Sequence, residues 1–404
     1  MSIQMSLYNQ ILQLHDLAVG EGQRRILRRD LYGRVIGSEG RHFVGIVGPR
    51  GAGKTILLKQ MAASEPAAIY LSADALPDDA DLFAVVKDLA DRYKYRVFLI
   101  DEIHFLRGAM ASLKKIYDFL EVRIIFTSSV ALAMQSTAHD LSRRVRMHVL
   151  DYFSFREYLQ FAHGEGHAPL SFDELIAGDV TPGHLRAGRF FASYLSGGLL
   201  PFAMEENEAM PLLAATLEKI IERDIPQTLR LRLDELPIIR KLVAFVGRSA
   251  VDGINYSSLS ANLGITKYKA EQYVDALEKA FVLQCIFPAG TNLLREPKVL
   301  LVPPVRLLHL PIEQAAGGLR EDFFALAIRQ AGISIRYLKG TRGQKTPDFL
   351  IEHKEQNVAL EIGGKGKGRT QFKGISADRK IVLAPDIAPQ KNRLPLHLLG
   401  FLSQ

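Results

Sequence analysis

The 404-residue sequence predicts an α/β fold built on a parallel sheet, and three observations support this prediction. Between residues 43 and 150, short apolar segments alternate with segments of helical spacing, as in parallel strands joined by crossover helices. The segments 97–100 and 122–126 are almost entirely apolar, as strands buried on both faces are. The third observation is a glycine-rich loop between the apolar segment 43–47 and a helix that starts at Lys54.

The predicted elements of this core follow in a regular order. Strands are predicted at HFVGIVG, AAIYLSA, YRVFLIDE and VRIIFTSS, and crossover helices from Lys54, Asp79 and Ala111. With a helical lead-in, the core fills residues 1–150. The segment 299–310 is apolar but contains two prolines, which predicts a strand, a turn and a second strand.

The rest of the chain predicts three further domains, because a single hydrophobic core stops growing well below 404 residues. Residues 151–235 lack clear strands and are broken by glycines, which predicts a small helical subdomain. Residues 236–312 have the spacing of a winged helix-turn-helix, and residues 313–404 mix strands and helix in an α/β domain.

Composition limits the classes of function. The formal charge of +7 makes an acidic partner plausible, and nucleic acid is the first candidate. The single cysteine, Cys285, cannot form an internal disulfide, which fits a reducing cytoplasm. The N-terminus lacks the pattern of a signal peptide, and no apolar run reaches about 18 residues. We therefore expect a cytoplasmic protein that does not span a membrane.

The glycine-rich loop predicts a nucleotide site. Its sequence GPRGAGKT, from Gly48 to Thr55, fits GxxxxGK[ST] and lies after a strand and at a helix start, where this motif cradles phosphates with backbone N–H groups. Lys54 is expected to reach the β- and γ-phosphates, and Thr55 to bind Mg²⁺. The predicted contacts with ATP are Gly48, Pro49, Arg50, Gly51, Ala52, Gly53, Lys54, Thr55 and Ile56.

Polar residues at the ends of two other predicted strands complete this site. Asp101 is expected to hold Mg²⁺ and Glu102 to polarise the attacking water, because phosphoryl transfer needs an aligned nucleophile and neutralised charge. Thr127 ends the strand VRIIFTSS, where it either senses the γ-phosphate or belongs to a turn. Arg143 and Arg144 are either an ordinary surface pair or the source of an arginine that stabilises the transition state.

These segments, with LSRRV and FSFREYL after them, resemble a family of prokaryotic AAA-type ATPases. That family joins the ATPase to a winged-helix region and to a C-terminal domain related to PD-(D/E)XK nucleases. The stretch YLSGGLLP is similar to the family's Gly-Gly-x-Pro segment. The resemblance implies that Arg144 is the arginine finger, acting within the subunit or on its neighbour. Arg143 departs from the family by replacing a glycine.

The winged-helix region predicts a surface for DNA or for a protein. Its second helix is expected to present Thr266, Lys267 and Lys269 outward, which suits contacts with phosphates. Many modules of this type instead mediate protein contacts or only pack within their own chain, so these alternatives stay open.

The C-terminal domain resembles PD-(D/E)XK nucleases in its acids. Asp348 and Glu361 are predicted on two strands of a hairpin, and Glu321 is the candidate upstream acid. Gly363 stands where the family has lysine, so Lys365 is the remaining candidate and an inactive, vestigial site is favoured. The basic run that includes Lys365 either follows a phosphate backbone or is a solvated loop.

Together these features predict a Mg-ATP-dependent ATPase that couples the nucleotide to a DNA-binding C-terminal half. The alternatives are an ATP-gated nuclease, and a nucleotide switch that docks a protein. An oligomer is compatible with each.

Overall fold

The computed structural model describes residues 5–77, 80–129, 143–206, 208–226, 231–249, 253–290, 296–338, 347–363, 372, 375–385 and 389–403. The chain divides into two compact units, Met1–Tyr152 and Phe153–Gln404. Among the helices so described, none is both long and apolar enough to cross a membrane.

The first unit is built around a five-stranded parallel sheet. Its helices are α1 (Met5–Arg24), α2 (Asp30–Ile36), α3 (Lys54–Ser64), α4 (Leu82–Tyr93) and α5 (Ala109–Phe119). Its strands are β1 (Phe43–Val47), β2 (Ala68–Ser72), β3 (Val97–Asp101), β4 (Arg123–Ser128) and β5 (Val145–Val149). The strand order is β2-β3-β4-β1-β5, and each neighbouring pair is parallel. The predicted parallel α/β core is confirmed.

The sequence did not predict β5. This strand pairs with β1 alone at the edge of the sheet, and its residues are half-buried or exposed. An edge strand of this kind carries polar residues such as Arg146 and His148, so it leaves no apolar run to detect. The helix expected from Asp79 begins instead at Leu82, because the carboxylate of Asp81 accepts the N–H of Phe83 and caps it.

A single apolar cluster fixes helix α3 to the sheet. Leu57 and Leu58 of α3 are buried with Val35 of α2 and with Ile46 and Leu99 of the central strands. Fully burying a side chain of this size stabilises the fold by about 1.5–3 kcal/mol. The first residue of α3 is Lys54, so this packing also fixes the origin of the lysine side chain.

The second unit carries the remaining elements. Its helices are α6 (Phe155–His163), α7 (Phe172–Ala177), α8 (Pro182–Arg186), α9 (Phe191–Ser193), α10 (Ala209–Lys219), α11 (Leu236–Arg248), α12 (Tyr256–Leu263), α13 (Lys267–Lys279), α14 (Pro303–Arg306) and α15 (Ile312–Gln330). Its strands are β6 (Leu283–Ile286), β7 (Lys298–Leu301), β8 (Ile335–Tyr337), β9 (Phe349–His353), β10 (Gln356–Ile362), β11 (Arg379–Ala384) and β12 (Arg393–Pro395).

The end of the chain packs against the helices that open this unit. The N–H of Leu170 donates to the carbonyl of Phe401 at 2.7 Å, and the N–H of Ser403 donates back to Leu170 at 2.9 Å. The ring of Phe155 makes edge contacts with His397 and Phe401. Residues 153–200 and the C-terminal segment therefore share a core, although they are far apart in sequence.

Helices α11, α12 and α13 precede a two-stranded antiparallel sheet formed by β6 and β7. Gly264 ends α12 in the left-handed conformation (φ 65°), and the hydroxyl of Thr266 accepts the N–H of Lys269 to cap α13. This is the order of elements predicted for residues 236–312. That the region works as a winged helix stays a prediction.

The predicted turn and second strand after residue 301 are wrong. Strand β7 ends at Leu301, and Pro303 and Pro304 open the short helix α14. The first turn of a helix tolerates proline, because its N–H groups have no partner within the helix.

The last sheet has the order β12-β11-β10-β9-β8. Strands β8, β9 and β10 are antiparallel neighbours, whereas β10, β11 and β12 are parallel. The hairpin predicted for the two acids is present as β9 and β10. Its two-residue turn, Lys354 and Glu355, has positive φ at both positions.

A buried ion pair joins several elements of the second unit. Arg306 is 4% exposed and Asp322 is fully buried, with Nε and Oδ2 2.5 Å apart. The same guanidinium donates to the carbonyls of Val246 and Gly247, and Asp322 accepts the N–H of Leu301. Burial raises the pKa of Asp322 to about 6, despite the neighbouring Arg306. One ion pair thus connects the end of α11 with β7, α14 and α15.

Candidate active site

The glycine-rich loop leaves β1 and leads directly into α3. Gly53, which caps α3, has φ 91°, a left-handed backbone that glycine adopts without a steric penalty. A Cβ atom on Gly48 would lie 2.0 Å from the carbonyl oxygen of Leu150. Both glycines are therefore required by the shape of the loop. The helix N-terminus that this loop opens is suited to an anion, because its N–H groups lack partners within the helix.

Lys54 turns back over the loop. Its Nζ donates to the carbonyl oxygens of Gly48 and Pro49, both at 2.9 Å, and the residue is 5% exposed. The loop carbonyls satisfy this buried ammonium, which is costly to bury without hydrogen bonds. Thr55 and Ile56 follow in the first turn of α3, where both are half-buried. The structure thus places the lysine charge over the loop predicted to hold phosphates.

Asp101 is the last residue of β3 and is 4% exposed. Its Oδ2 accepts the hydroxyl of Tyr70 at 2.9 Å, and its Oδ1 accepts the hydroxyl of Thr127 at 2.5 Å. Burial, and then the adjacent Asp101, raise the pKa of Tyr70 far above its usual value, so this hydroxyl keeps its proton. Two donors therefore fix the orientation of the carboxylate.

Glu102 follows at the same strand end in a left-handed conformation (φ 50°), which is uncommon for a residue with a side chain. Its Oε2 accepts the N–H of Ser129 at 3.0 Å and lies 3.2 Å from Nδ1 of His104. Its Oε1 takes no hydrogen bond from the residues that the structure describes. The side chain is 24% exposed, so Glu102 is the more accessible acid of the pair.

Thr127 connects the two acids. Its hydroxyl donates to Asp101 and accepts the N–H of Glu102 at 2.9 Å, and the residue is completely buried. A hydroxyl so placed acts on the site through the acids that it holds. Ser128 and Ser129 continue the strand end, and the Ser128 hydroxyl lies 3.3 Å from Nδ1 of His104.

The topology brings these groups to one edge of the sheet. Strands β3, β4 and β1 are neighbours and run parallel, so their carboxyl ends meet at the same edge. The loop from Gly48, the acids Asp101 and Glu102, and Thr127 all lie at those ends. Ligands of open α/β sheets bind at this edge.

Arg144 lies at the opposite edge. It precedes β5, and its carbonyl accepts the N–H of Phe43 at the start of β1, whereas the loop follows the end of β1. A strand of five residues separates the two positions by roughly 13 Å. The Arg144 guanidinium contacts the carboxylate of Asp118 at 3.1 and 3.2 Å and lies over the ring of Tyr117. Arg144 is thus not brought to the loop of its own chain.

The candidate nuclease acids converge only in part. Asp348 accepts the N–H of Ile362 at 2.8 Å, which places it beside Glu361 across the β9–β10 pair. Glu321 instead forms an ion pair with Lys298 at 2.7 Å. In the described part of the chain, no group of three or more His, Cys, Asp or Glu side chains is arranged to hold a metal ion. Lys365 and the rest of its basic run lie outside the described residues.

The candidate DNA contacts begin helix α13. Lys267 pairs with Glu296, and Lys269 pairs with Glu235, which also accepts the hydroxyl of Tyr273. The hydrogen bond from Lys269 is the largest of the influences that lower the pKa of Glu235 to about 2. The two lysine side chains are 53% and 42% exposed. Both cations therefore reach solvent while each is paired with an acid.

Sequence reasoning missed two residues that shape the nucleotide site. The sequence pattern predicts Tyr70 only as part of an apolar strand, although its hydroxyl is the one polar side-chain group in the run Ala68–Leu71. Arg29 donates to the carbonyls of Ala52 in the loop and of Asp151 just after β5, at 2.7 and 2.8 Å. No local pattern marks Arg29, because its partners are 23 and 122 residues away.

Replacing Thr127 by Val is expected to lower any hydrolysis at this site about tenfold to a hundredfold, with little change in nucleotide affinity. Valine has nearly the same shape but no hydroxyl, so buried Asp101 loses a donor and the N–H of Glu102 loses its acceptor. Turnover and nucleotide affinity would be measured separately. Thr127→Ser, which keeps the hydroxyl, should retain most of the activity. Equal losses in both variants would contradict this role.

Two protein families match separate parts of the chain. Residues 40–159 match a family described as an AAA domain, and residues 189–302 match a family described as a domain of unknown function. An uncharacterized protein of Methanocaldococcus jannaschii is 27% identical over 415 aligned residues, which cover 91% of this chain and 86% of that protein.

Similar solved structures include PCH-2 of C. elegans and the Hsp104–ADP complex of S. cerevisiae, each 17% identical with a TM-score of 0.28. The matches cover 52% and 62% of this chain, but only 62% and 37% of those chains. Scores this low support no argument about function. The P-loop NTPase fold of AAA type rests on the sheet, the loop and the match at residues 40–159.

Proposed function

We propose that this chain, whose residues 40–159 form an AAA-type P-loop domain, binds Mg-ATP and hydrolyses it to ADP and phosphate. The observation that carries this proposal is the pair of acids at the end of β3. One is buried and held by two hydroxyl donors, and the other has an unpaired oxygen within the described residues. The two acids are thus prepared for different tasks.

The donor set suits Mg²⁺ bound with ATP. This ion prefers oxygen ligands and is commonly held by one or two carboxylates together with substrate phosphates. Asp101 and the hydroxyl of Thr55 would supply those oxygens, and the ion would neutralise charge on the phosphates. Lys54 and the N–H groups of the loop would hold the β- and γ-phosphates.

Glu102 would accept a proton from the attacking water. Its Oε1 is the oxygen that takes no hydrogen bond in the described residues, so it can accept one from water. Phosphoryl transfer depends on positioning and on electrostatic stabilisation, so a fixed carboxylate beside the γ-phosphate is an adequate catalytic group. Thr127 and Tyr70 would keep the neighbouring Asp101 in place.

Arg144 would act on the nucleotide of a second copy of the chain. Within one chain it lies at the edge of the sheet opposite the loop, so only another subunit could bring it to a γ-phosphate. Its contact with Asp118 is partly exposed, and such pairs contribute only about 0–1 kcal/mol. A phosphate could compete with Asp118 for this guanidinium. An oligomer is then the hydrolytic form.

The direct experiment is release of phosphate from ATP by the purified full chain, with Mg²⁺ and after chelation by EDTA. Saturable release that requires Mg²⁺ is the expected result. ATP binding without any release, across a wide range of protein concentration, would instead favour a nucleotide switch that docks a protein partner.

We also propose that the C-terminal half binds DNA through α13. The helix-turn-helix order of α12 and α13 and the exposed lysines at the start of α13 support this proposal. The lysine ends of both ion pairs reach solvent, so DNA phosphates could compete with Glu296 and Glu235 for them. An ATP-gated nuclease has less support, because Glu321 is paired with Lys298 and no group of three or more His, Cys, Asp or Glu side chains in the described residues is arranged to hold a metal ion.

Replacing both Lys267 and Lys269 by Ala is expected to weaken binding of duplex DNA about tenfold. The dependence of the binding constant on salt concentration should fall by the amount expected for the loss of about two phosphate contacts. Lys279→Ala is the matched control, because it removes a lysine from the other end of the same helix. Stimulation of ATP hydrolysis by DNA should fall in parallel. Absence of DNA binding by the unaltered chain at low salt would contradict this proposal.

A further inference from the structure

We propose that His104 is a positioning residue that turns the Glu102 carboxylate towards the attacking water. This inference rests on the proposed ATP hydrolysis and adds to it a residue that neither the P-loop motif nor the acidic pair contains. His104 would act through Glu102 and would not itself touch the nucleotide.

The geometry divides the Glu102 carboxylate into an anchored and a working oxygen. Both contacts go to Oε2: the N–H of Ser129 at 3.0 Å and Nδ1 of His104 at 3.2 Å. Oε1 takes no hydrogen bond from the described residues. A carboxylate that is held at one oxygen by a hydrogen bond and by a close contact with an imidazole nitrogen cannot rotate without losing both, so the other oxygen keeps a fixed direction.

The two anchors come from different elements. Ser129 follows β4, whereas His104 lies in the turn Ile103–Phe105 that follows Glu102. A single anchor would allow the side chain to swing about one hydrogen bond. Two anchors from separate segments fix it, and misplacement of a catalytic group by about 1 Å can cost 100-fold in rate.

The partners of His104 determine where its proton lies. Two acceptor atoms repel each other, so the 3.2 Å approach of Nδ1 to the Oε2 of the carboxylate favours the tautomer with the hydrogen on Nδ1. The hydroxyl oxygen of Ser128 lies 3.3 Å from the same nitrogen and can then accept this N–H. Ser128 thereby links the imidazole to the end of β4, the strand that also provides Thr127.

The surroundings hold the ring in this place. The His104 side chain is 9% exposed, and its ring packs on Phe105 with centroids 4.5 Å apart. The left-handed backbone of Glu102 (φ 50°) is strained for a residue with a side chain, and such strain persists where the surrounding contacts impose it. The contacts of Glu102 with Ser129 and His104 are of that kind. Together they describe a rigid support for one carboxylate.

His104→Ala is expected to lower kcat about tenfold to a hundredfold, with KM for ATP and the affinity for ATP changed by less than about threefold. Rescue tests separate the role of Nδ1 from the bulk of the side chain. Asn can place its amide nitrogen near the Nδ1 position, so His104→Asn should restore most of the kcat. Gln places its amide near the Nε2 position, so His104→Gln should not.

A double-mutant cycle with Glu102→Gln gives the sharpest test, because a residue that acts through Glu102 has nothing left to position once Glu102 is inactive. His104→Ala should change the residual rate of Glu102→Gln by less than about twofold. Equal losses in both backgrounds, or failure of Asn to do better than Gln, would overturn the inference. If Glu102→Gln leaves hydrolysis intact, Glu102 is not the base and the His104 role fails with it. Absence of hydrolysis by the unaltered chain is a distinct result, which would contradict the proposed function itself.

Discussion

Glu102→Gln is expected to lower ATP turnover at least about 100-fold while ATP binding stays within about threefold of the unaltered chain. Glutamine has the shape of glutamate and can still accept the N–H of Ser129 at its one oxygen, but it cannot take a proton from water. Loss of a general base typically costs about 100-fold to 10,000-fold in rate. Because Lys54 and the loop are unchanged, the phosphates keep their ligands.

The measurement compares phosphate release with the affinity for a fluorescent ATP analogue. Glu121→Gln is the matched control, because Glu121 is exposed in the turn before β4 and should leave both quantities unchanged. If Glu102→Gln weakened binding as much as turnover, the residue would be holding the nucleotide, and its assignment as the base would be wrong.

The largest expected effect on stability is that of Arg306→Met, at about 3–5 kcal/mol. This change leaves the fully buried Asp322 without its cation, and removing one partner of a buried pair leaves an uncompensated charge. The carbonyls of Val246 and Gly247 also lose a donor. Chemical denaturation followed by fluorescence or circular dichroism of the second unit would give the change in unfolding free energy.

The pH dependence of the stability provides an independent test of this prediction. The folded-state pKa of Asp322 is raised to about 6, so the folded protein holds this proton more tightly than the unfolded chain. The free energy of unfolding therefore decreases as pH rises from the pKa of Asp322 in the unfolded chain towards its higher pKa in the folded protein. Without Arg306 the pKa rises further, so the destabilisation should be larger at pH 8 than at pH 5.

Two further variants separate charge burial from lost packing. Arg306→Met combined with Asp322→Leu should recover much of the stability, because an apolar pair can replace a buried ion pair. Arg240→Met removes an exposed arginine that pairs with Glu218 and Glu222, and should cost no more than about 1 kcal/mol. Equal losses in Arg306→Met and Arg240→Met would contradict the proposed importance of burial.

Local sequence patterns were sufficient for the core of the site. The loop from Gly48 and the acids Asp101 and Glu102 each follow an apolar strand, and the parallel sheet brings strand ends to a common edge. Those features depend on residues that are close in sequence. For this reason the fold class and the location of the candidate site could be predicted without coordinates.

Features that depend on distant residues could not be predicted in the same way. The contacts of Tyr70 with Asp101 and of Arg29 with Ala52 and Asp151 join different elements. Strand β5 is a largely exposed edge strand, so its sequence has no apolar run from which the strand could be predicted. Arg144 shows the same limit, because only the strand pairing places it at the edge opposite the loop.

The ion pair of Arg306 and Asp322 illustrates why the second unit was harder to predict. Arg306 lies within an apolar segment and Asp322 follows Arg320 and Glu321, so sequence alone gives no indication that the two are partners. The prolines at 303 and 304 predict a turn, but proline is equally compatible with the first turn of a helix, which is where the structure has them. The hairpin with Asp348 and Glu361 was easier, because both strands have clear β-forming runs on either side of a short turn.

The central claim, that the loop binds ATP for hydrolysis, is tested most directly by phosphate release from Mg-ATP in the full chain and in Lys54→Ala. Lys114→Ala, which changes an exposed lysine of α5, serves as the control. We predict saturable release by the unaltered chain and by Lys114→Ala, and at least about a 100-fold loss in Lys54→Ala. Release that is the same in all three proteins would show that hydrolysis occurs elsewhere, and it would contradict the account.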